Sequence, residues 1–143
     1  MQRSVRRTPA VSLKEVFLHA AAGLPSEDSR TEVVAEALGY LQEGFENHYA
    51  ATNGATDEDL LVGDNAYASA VETIAYLDEP RFVAVASRMI RDGSGRIAAG
   101  GEVSLELWTP HLAGLLDIIS GEGLQRSEHR IREAAGKVRG RDG

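Results

Sequence analysis

The chain contains no cysteine, only two methionines, one tryptophan and four prolines, and aromatic residues fill just 6% of its 143 positions. The missing thiol excludes disulfides, thiolate nucleophiles and Cys-ligated zinc together. No apolar run approaches the roughly 20 residues of a membrane-spanning helix, so no membrane span is expected. The opening MQRSVRR is basic but lacks the apolar stretch of a secretory signal, and a cytoplasmic protein is the expectation. Lysine is scarce as well, two against thirteen arginines, a bias we attribute to genomic base composition rather than to chemistry.

What is present is length, acid and helical period. A chain of 143 residues is large enough to bury a core without staples, and one domain is expected. The net charge of −7 is uneven: residues 1–7 carry +3, residues 126–143 carry +3, and the stretch between carries −13. An acidic body repels a phosphate backbone, so nucleic acid is not an expected partner.

Nearly every segment reads as helix. Ser12 with Glu15 forms a capping-box pattern, and the helix it starts stops at Gly23-Leu24-Pro25. Ser29 with Glu32 repeats the signal, and Val34, Leu38, Leu41, Phe45 and Tyr49 then recur at helical steps. Ala50 to Thr56 reads as a loop around Asn53-Gly54. Thr56 is the expected N-cap of the next helix, whose Asp57, Glu58 and Asp59 suit the positive end of a helix dipole. Its apolar positions include Leu60, Tyr67, Val71 and Ile74. Asp78-Glu79-Pro80 closes it and opens another helix with the stripe Phe82, Val83, Ala86, Met89 and Ile90.

Gly93-Ser94-Gly95 weakens that stripe and Gly100-Gly101 ends it. Val103 to Leu107 alternates as a strand would, but with no second strand to pair, a helix or extended lead-in is expected. Thr109-Pro110 reads as the start of a helix through Leu112, Leu115, Leu116 and Ile119 to Gly121. From about Leu124 to Val138 the composition is helical over a thin apolar stripe, which predicts a fraying end. The fold class predicted is all-α, a single-domain bundle of five to seven helices. Its expected parts are a basic lead over 1–11, a helical domain over 12–122 and a basic C-terminal helix or tail over 123–143.

Catalytic patterns are weak. Gly93-Ser94-Gly95-Arg96-Ile97-Ala98 fits G-x-G-x-x-A, but that fingerprint cradles a pyrophosphate only between a buried strand and a helix. A helical stripe precedes it here. Glu15 and His19 share a helix face, yet no Glu-x-x-His of a dinuclear bundle site occurs. Glu32 and Glu36 read as an exposed helix face, and no G-x-S-x-G elbow is present.

One stretch says more. Leu60, Leu61, Gly63, Asp64, Ala70 and Glu72 stand in the order L-L-x-G-D-x-x-x-x-x-A-x-E, followed by Leu77-Asp78-Glu79-Pro80 and by Gly100-Gly101-Glu102. In these residues, about a third of the chain, the sequence resembles the trans-type prenyl diphosphate synthases of the polyprenyl synthetase family. The resemblance implies a fragment of the isoprenoid synthase fold. It also brings a departure, because active members hold magnesium against a diphosphate with Asp-rich motifs, and this sequence has no Asp-Asp-x-x-Asp.

The pattern is therefore similar to the small, non-catalytic subunits of heteromeric long-chain synthases. That likeness implies an accessory role: pairing with a catalytic prenyl diphosphate synthase subunit, or self-association, and helping to set product chain length for quinone side-chain synthesis. Such a chain binds no cofactor itself, and magnesium is expected on the catalytic partner. The helix would be kept for docking, with Tyr67, Val71 and Ile74 facing that partner. Two other readings stand beside it: a stand-alone helical interaction or regulatory protein, and an enzyme using unaligned carboxylates.

Overall fold

A computed structural model describes residues 11–52 and 57–142. The described residues form a single bundle of six helices with no strand: α1 (Leu13–Ala22), α2 (Arg30–Thr52), α3 (Asp57–Ala75), α4 (Pro80–Ala98), α5 (Leu105–Ser120) and α6 (Leu124–Asp142). At 1.5 Å per residue the 23-residue α2 is about 35 Å long. It is the central rod, touching α1, α3, α4 and α5, while α6 closes the bundle against α1 and α5. Phe17, Leu38, Leu41, Phe45, Phe82, Met89, Leu112, Leu116 and Ile131 are fully buried between these rods.

Local signals place most of the ends. The Ser12 hydroxyl accepts from the Glu15 amide at 3.1 Å and starts α1. At α2 the capping carboxylate is Asp28 rather than Ser29, accepting from the Arg30 amide at 2.9 Å. Helix α2 continues to Thr52, past the Ala50 at which a loop was expected. The Asn53-Gly54 turn and the Thr56 cap lie outside the described residues.

Between α3 and α4 the chain reverses through Asp78, which takes the left-handed conformation at φ 55°, one that a short polar side chain tolerates. Glu79 then caps α4. Its carboxylate accepts from the Arg81 amide at 3.1 Å and from the Arg81 guanidinium at 3.0 and 3.1 Å. These hydrogen bonds hold its ionisation down at about 2, against an ordinary 4.5. Because the unfolded chain takes up this proton first, stability contributed by the cap is complete above about 4.5 and is lost as pH falls toward about 2. Asp28, lowered by its bonds to Arg30, acts in the same direction. Glu79→Ala should flatten this part of the profile of melting temperature against pH; an unchanged slope there would count against it.

Two elements depart from the sequence-based reading. The fifth helix begins at Leu105 after an extended Ser104, so Pro110 lies inside it instead of opening it. Proline has no N–H to offer the Glu106 carbonyl, and the Thr109 hydroxyl, donating to the Leu105 carbonyl at 2.9 Å, strengthens the turn beside that gap.

The second departure is α6, a packed helix rather than a fraying end. Ser127, Ile131, Ala134, Ala135 and Val138 are buried along one face. Most of them are small, which let the helix sit close while making its stripe look thin. Arg130 fastens it, with Nε and Nη2 on the two carboxylate oxygens of Glu122 at 2.7 and 3.1 Å and Nη1 on the Gly23 carbonyl at 3.1 Å. No helix among the described residues is long and apolar enough to cross a membrane.

Candidate functional site

Helix α3 carries the family-like residues, and the fold divides them. Leu60, Leu61 and Val62 are 43%, 61% and 38% exposed on its first turns. Gly63 and Ala70 are buried, while Asp64 and Glu72 reach solvent. Of the three residues expected to face a partner, two are not on a free face. Tyr67 and Ile74 are only 8% and 1% exposed, inside this chain's own core, and Val71 is half-buried. The reason is periodicity: a stripe wide enough to dock elsewhere is the same stripe that α2 and α4 need for closure.

The Gly-Asp pair has a local purpose. A Cβ on Gly63 would lie 3.2 Å from the Gly44 carbonyl, and one on Gly44 would lie 3.2 Å from the Gly63 carbonyl. The two glycines thus stand back to back where α2 crosses α3, and neither leaves room for a side chain. The Tyr67 ring fills the space over Gly44, and the His48 ring fills that over Gly63. Asp64 then meets His48, Oδ1 to Nε2, at 2.9 Å. The close approach that Gly63 permits is made within the chain.

From that crossing a row of rings runs through the bundle. His48 meets Tyr67 edge-on at 4.7 Å, Tyr67 tilts against Phe45 at 5.4 Å, and Phe45 stacks on Trp108 at 4.5 Å. Trp108 leads to His111 at 6.3 Å, and His111 pairs with Asp92 at 2.9 Å. A histidine–carboxylate pair therefore stands at each end, one joining α2 to α3 and the other α4 to α5. Read from the sequence, His48, His111 and His129 are isolated histidines, a type usually found as surface or satisfied core residues, and Asp92 and Trp108 carry no signal of their own. Three-residue steps, Phe45 to His48 and Trp108 to His111, were the available signal, but which carboxylate each histidine meets depends on the packing.

The Tyr67 hydroxyl is buried without a hydrogen-bond partner among the described residues. Burial is the main force raising its ionisation to about 12; the Ser94 side chain nearby opposes the shift, and the Asp64 charge adds to it. Ser94 is close enough to be felt yet outside bonding geometry. An orphaned buried hydroxyl costs stability, so Tyr67→Phe should stabilise the fold by about 1 kcal/mol in urea denaturation. A loss of that size would mean the hydroxyl has a partner after all.

The remaining candidates are ordinary. Gly93 to Ala98 lies within continuous α4, so its amides serve the helix and form no phosphate cradle. Among the described residues no cluster of three or more His, Asp or Glu side chains is placed to hold a metal ion. Comparison with family models, with curated proteins and with solved structures found no match to this chain.

Proposed function

We propose that the chain works by binding another protein, as a helical interaction module whose contact surface is the apolar start of α3. One observation carries this reading: Leu60, Leu61 and Val62 are three consecutive apolar residues left in solvent. Such runs on a soluble protein mark interfaces. Asp57, Glu58 and Asp59 sit in the same first turn and favour a partner with basic groups around an apolar centre.

The accessory-subunit reading is the more specific form of the same proposal. Leu60 and Leu61 head the stretch that resembles the prenyl diphosphate synthases. With Tyr67 and Ile74 taken by the core, they are the exposed apolar part of it, open to a catalytic subunit. In that form the chain influences product length, magnesium stays on the catalytic partner, and turnover requires both chains.

The test is the double variant Leu60→Ser, Leu61→Ser. Both positions are exposed, so thermal stability should shift by no more than about 0.5 kcal/mol. Self-association in sedimentation, or pairing with a catalytic prenyl diphosphate synthase subunit, should weaken about tenfold or more as two contact leucines are lost. Wild-type sedimentation and pairing in the double variant would overturn the assignment of this surface. Condensation of isopentenyl diphosphate with an allylic primer by the isolated chain, abolished by chelation, would favour an enzyme instead.

A further inference from the structure

We propose that the chain also binds a small zwitterion, an apolar α-amino acid, in a cavity remote from the protein contact in chemistry and independent of it. The cavity, about 220 Å³, lies where the start of α1, the middle of α2, the entry to α5 and the last turns of α6 meet. A space of roughly 150 Å³ takes a benzene ring in an engineered core, so this one suits a single ring or branched side chain with a compact polar head. Phe45 and Trp108, stacked at 4.5 Å, and Val103 supply apolar wall.

The polar groups decide the class of ligand. Gln42 is spent on the chain itself, its Oε1 accepting from the Leu13 amide at 2.8 Å and its Nε2 donating to the Val11 carbonyl at 3.2 Å. This fixes the wall formed by residues 11–13. Glu46 and Arg139 remain, both exposed and therefore at the mouth. Glu46 accepts one hydrogen bond from Gln42 Nε2 at 3.2 Å. Among the described residues neither Glu46 nor Arg139 has an opposite charge as partner, and they do not pair with each other.

One carboxylate and one guanidinium at the mouth of an apolar cavity complement a molecule with an ammonium, a carboxylate and an apolar body. A simple carboxylate would meet repulsion from Glu46, and a simple amine repulsion from Arg139. The zwitterion satisfies both, and its side chain enters the cavity beside Val11, Val103 and Leu105, the half-buried part of its lining.

Trp108 is the single tryptophan of the chain, so its emission reports on the cavity directly. L-phenylalanine and L-leucine should change that emission saturably and give matching heats in calorimetric titration. Phenylacetate, lacking the ammonium, and phenethylamine, lacking the carboxylate, should each bind about tenfold more weakly. Glu46→Gln and Arg139→Gln should weaken the amino acids by a similar factor, with the helical circular dichroism of the wild type retained. Absence of saturable binding by the amino acids would overturn the proposal. So would comparators that bind as tightly as the zwitterions, or variants that bind them as the wild type does.

Discussion

Phe45→Ala should destabilise the fold by about 3–5 kcal/mol and lower its melting temperature by roughly 10–20 °C for a chain of this size. The ring is buried at the meeting of α2, α4 and α5. It stacks on Trp108 at 4.5 Å, supports Tyr67 at 5.4 Å, and occupies the space that Gly93 leaves open. An alanine would remove all three contacts, and the rods around the gap are tied by other core residues, so collapse into it would be incomplete. Chemical denaturation measures the loss, with the denaturant dependence unchanged if only the native state is affected. A cost below about 1 kcal/mol would mean that Trp108 and Tyr67 repack onto each other, and that the row of rings is not a supporting element.

The second large effect comes from adding atoms. A Cβ on Gly93 would fall 2.4 Å from Phe45 Cε1 and 2.7 Å from Trp108 Cη2, while one on Gly95 meets nothing within 4 Å. The two glycines are two residues apart in the same helix, so the intrinsic gain of alanine over glycine, about 1 kcal/mol, is nearly common to both. Gly95→Ala should therefore stabilise by about 1 kcal/mol. Gly93→Ala should destabilise by up to about 2 kcal/mol, because a Cβ overlapping two stacked rings puts overpacking at the upper end, about 3 kcal/mol, against a propensity gain of about 1 kcal/mol. Stacked rings cannot swing aside as a lysine would. Opposite signs in paired urea titrations are the expected result. Stabilisation by both variants would show that α4 can move away from Phe45 at little cost.

These glycines also show where reading the sequence stopped. Gly93-Ser94-Gly95 reads as a weak point in a helical stripe, and at Gly95 propensity tells the whole story. At Gly93 it tells the smaller part, because the value of an absent side chain depends on what approaches from two other helices. A glycine inside a helix costs about 1 kcal/mol relative to alanine, so Gly63 points to a close approach; that the approaching element is Gly44 of α2, about 70 Å of chain contour earlier, is not in the sequence. Pro110 misled for a related reason. Proline marks a first turn by local preference, yet the cost of one missing N–H is small enough for the packing of Trp108 and Leu112 to draw the helix back to Leu105.

The candidate surface divides the same way. The spacing of Tyr67, Val71 and Ile74 correctly joins them on one helical stripe, but period alone is blind to whether a stripe meets its own chain or another. Leu60, Leu61 and Val62 show the converse, since apolar identity argues for burial and the structure leaves them in solvent.

By itself the sequence determined the all-α class, the single bundle, most helix ends and the exclusion of thiol chemistry. Each follows from local terms that act within a few residues: a capping oxygen, a backbone dihedral, the 3.6-residue period of apolar side chains. Only the tertiary structure decided that Tyr67 and Ile74 are core, that α6 is packed by small residues and held by Arg130, and that His48 meets Asp64 while His111 meets Asp92. Those outcomes turn on contacts between positions far apart in the chain. Their free energy depends on the relative placement of rods, which no window of sequence contains.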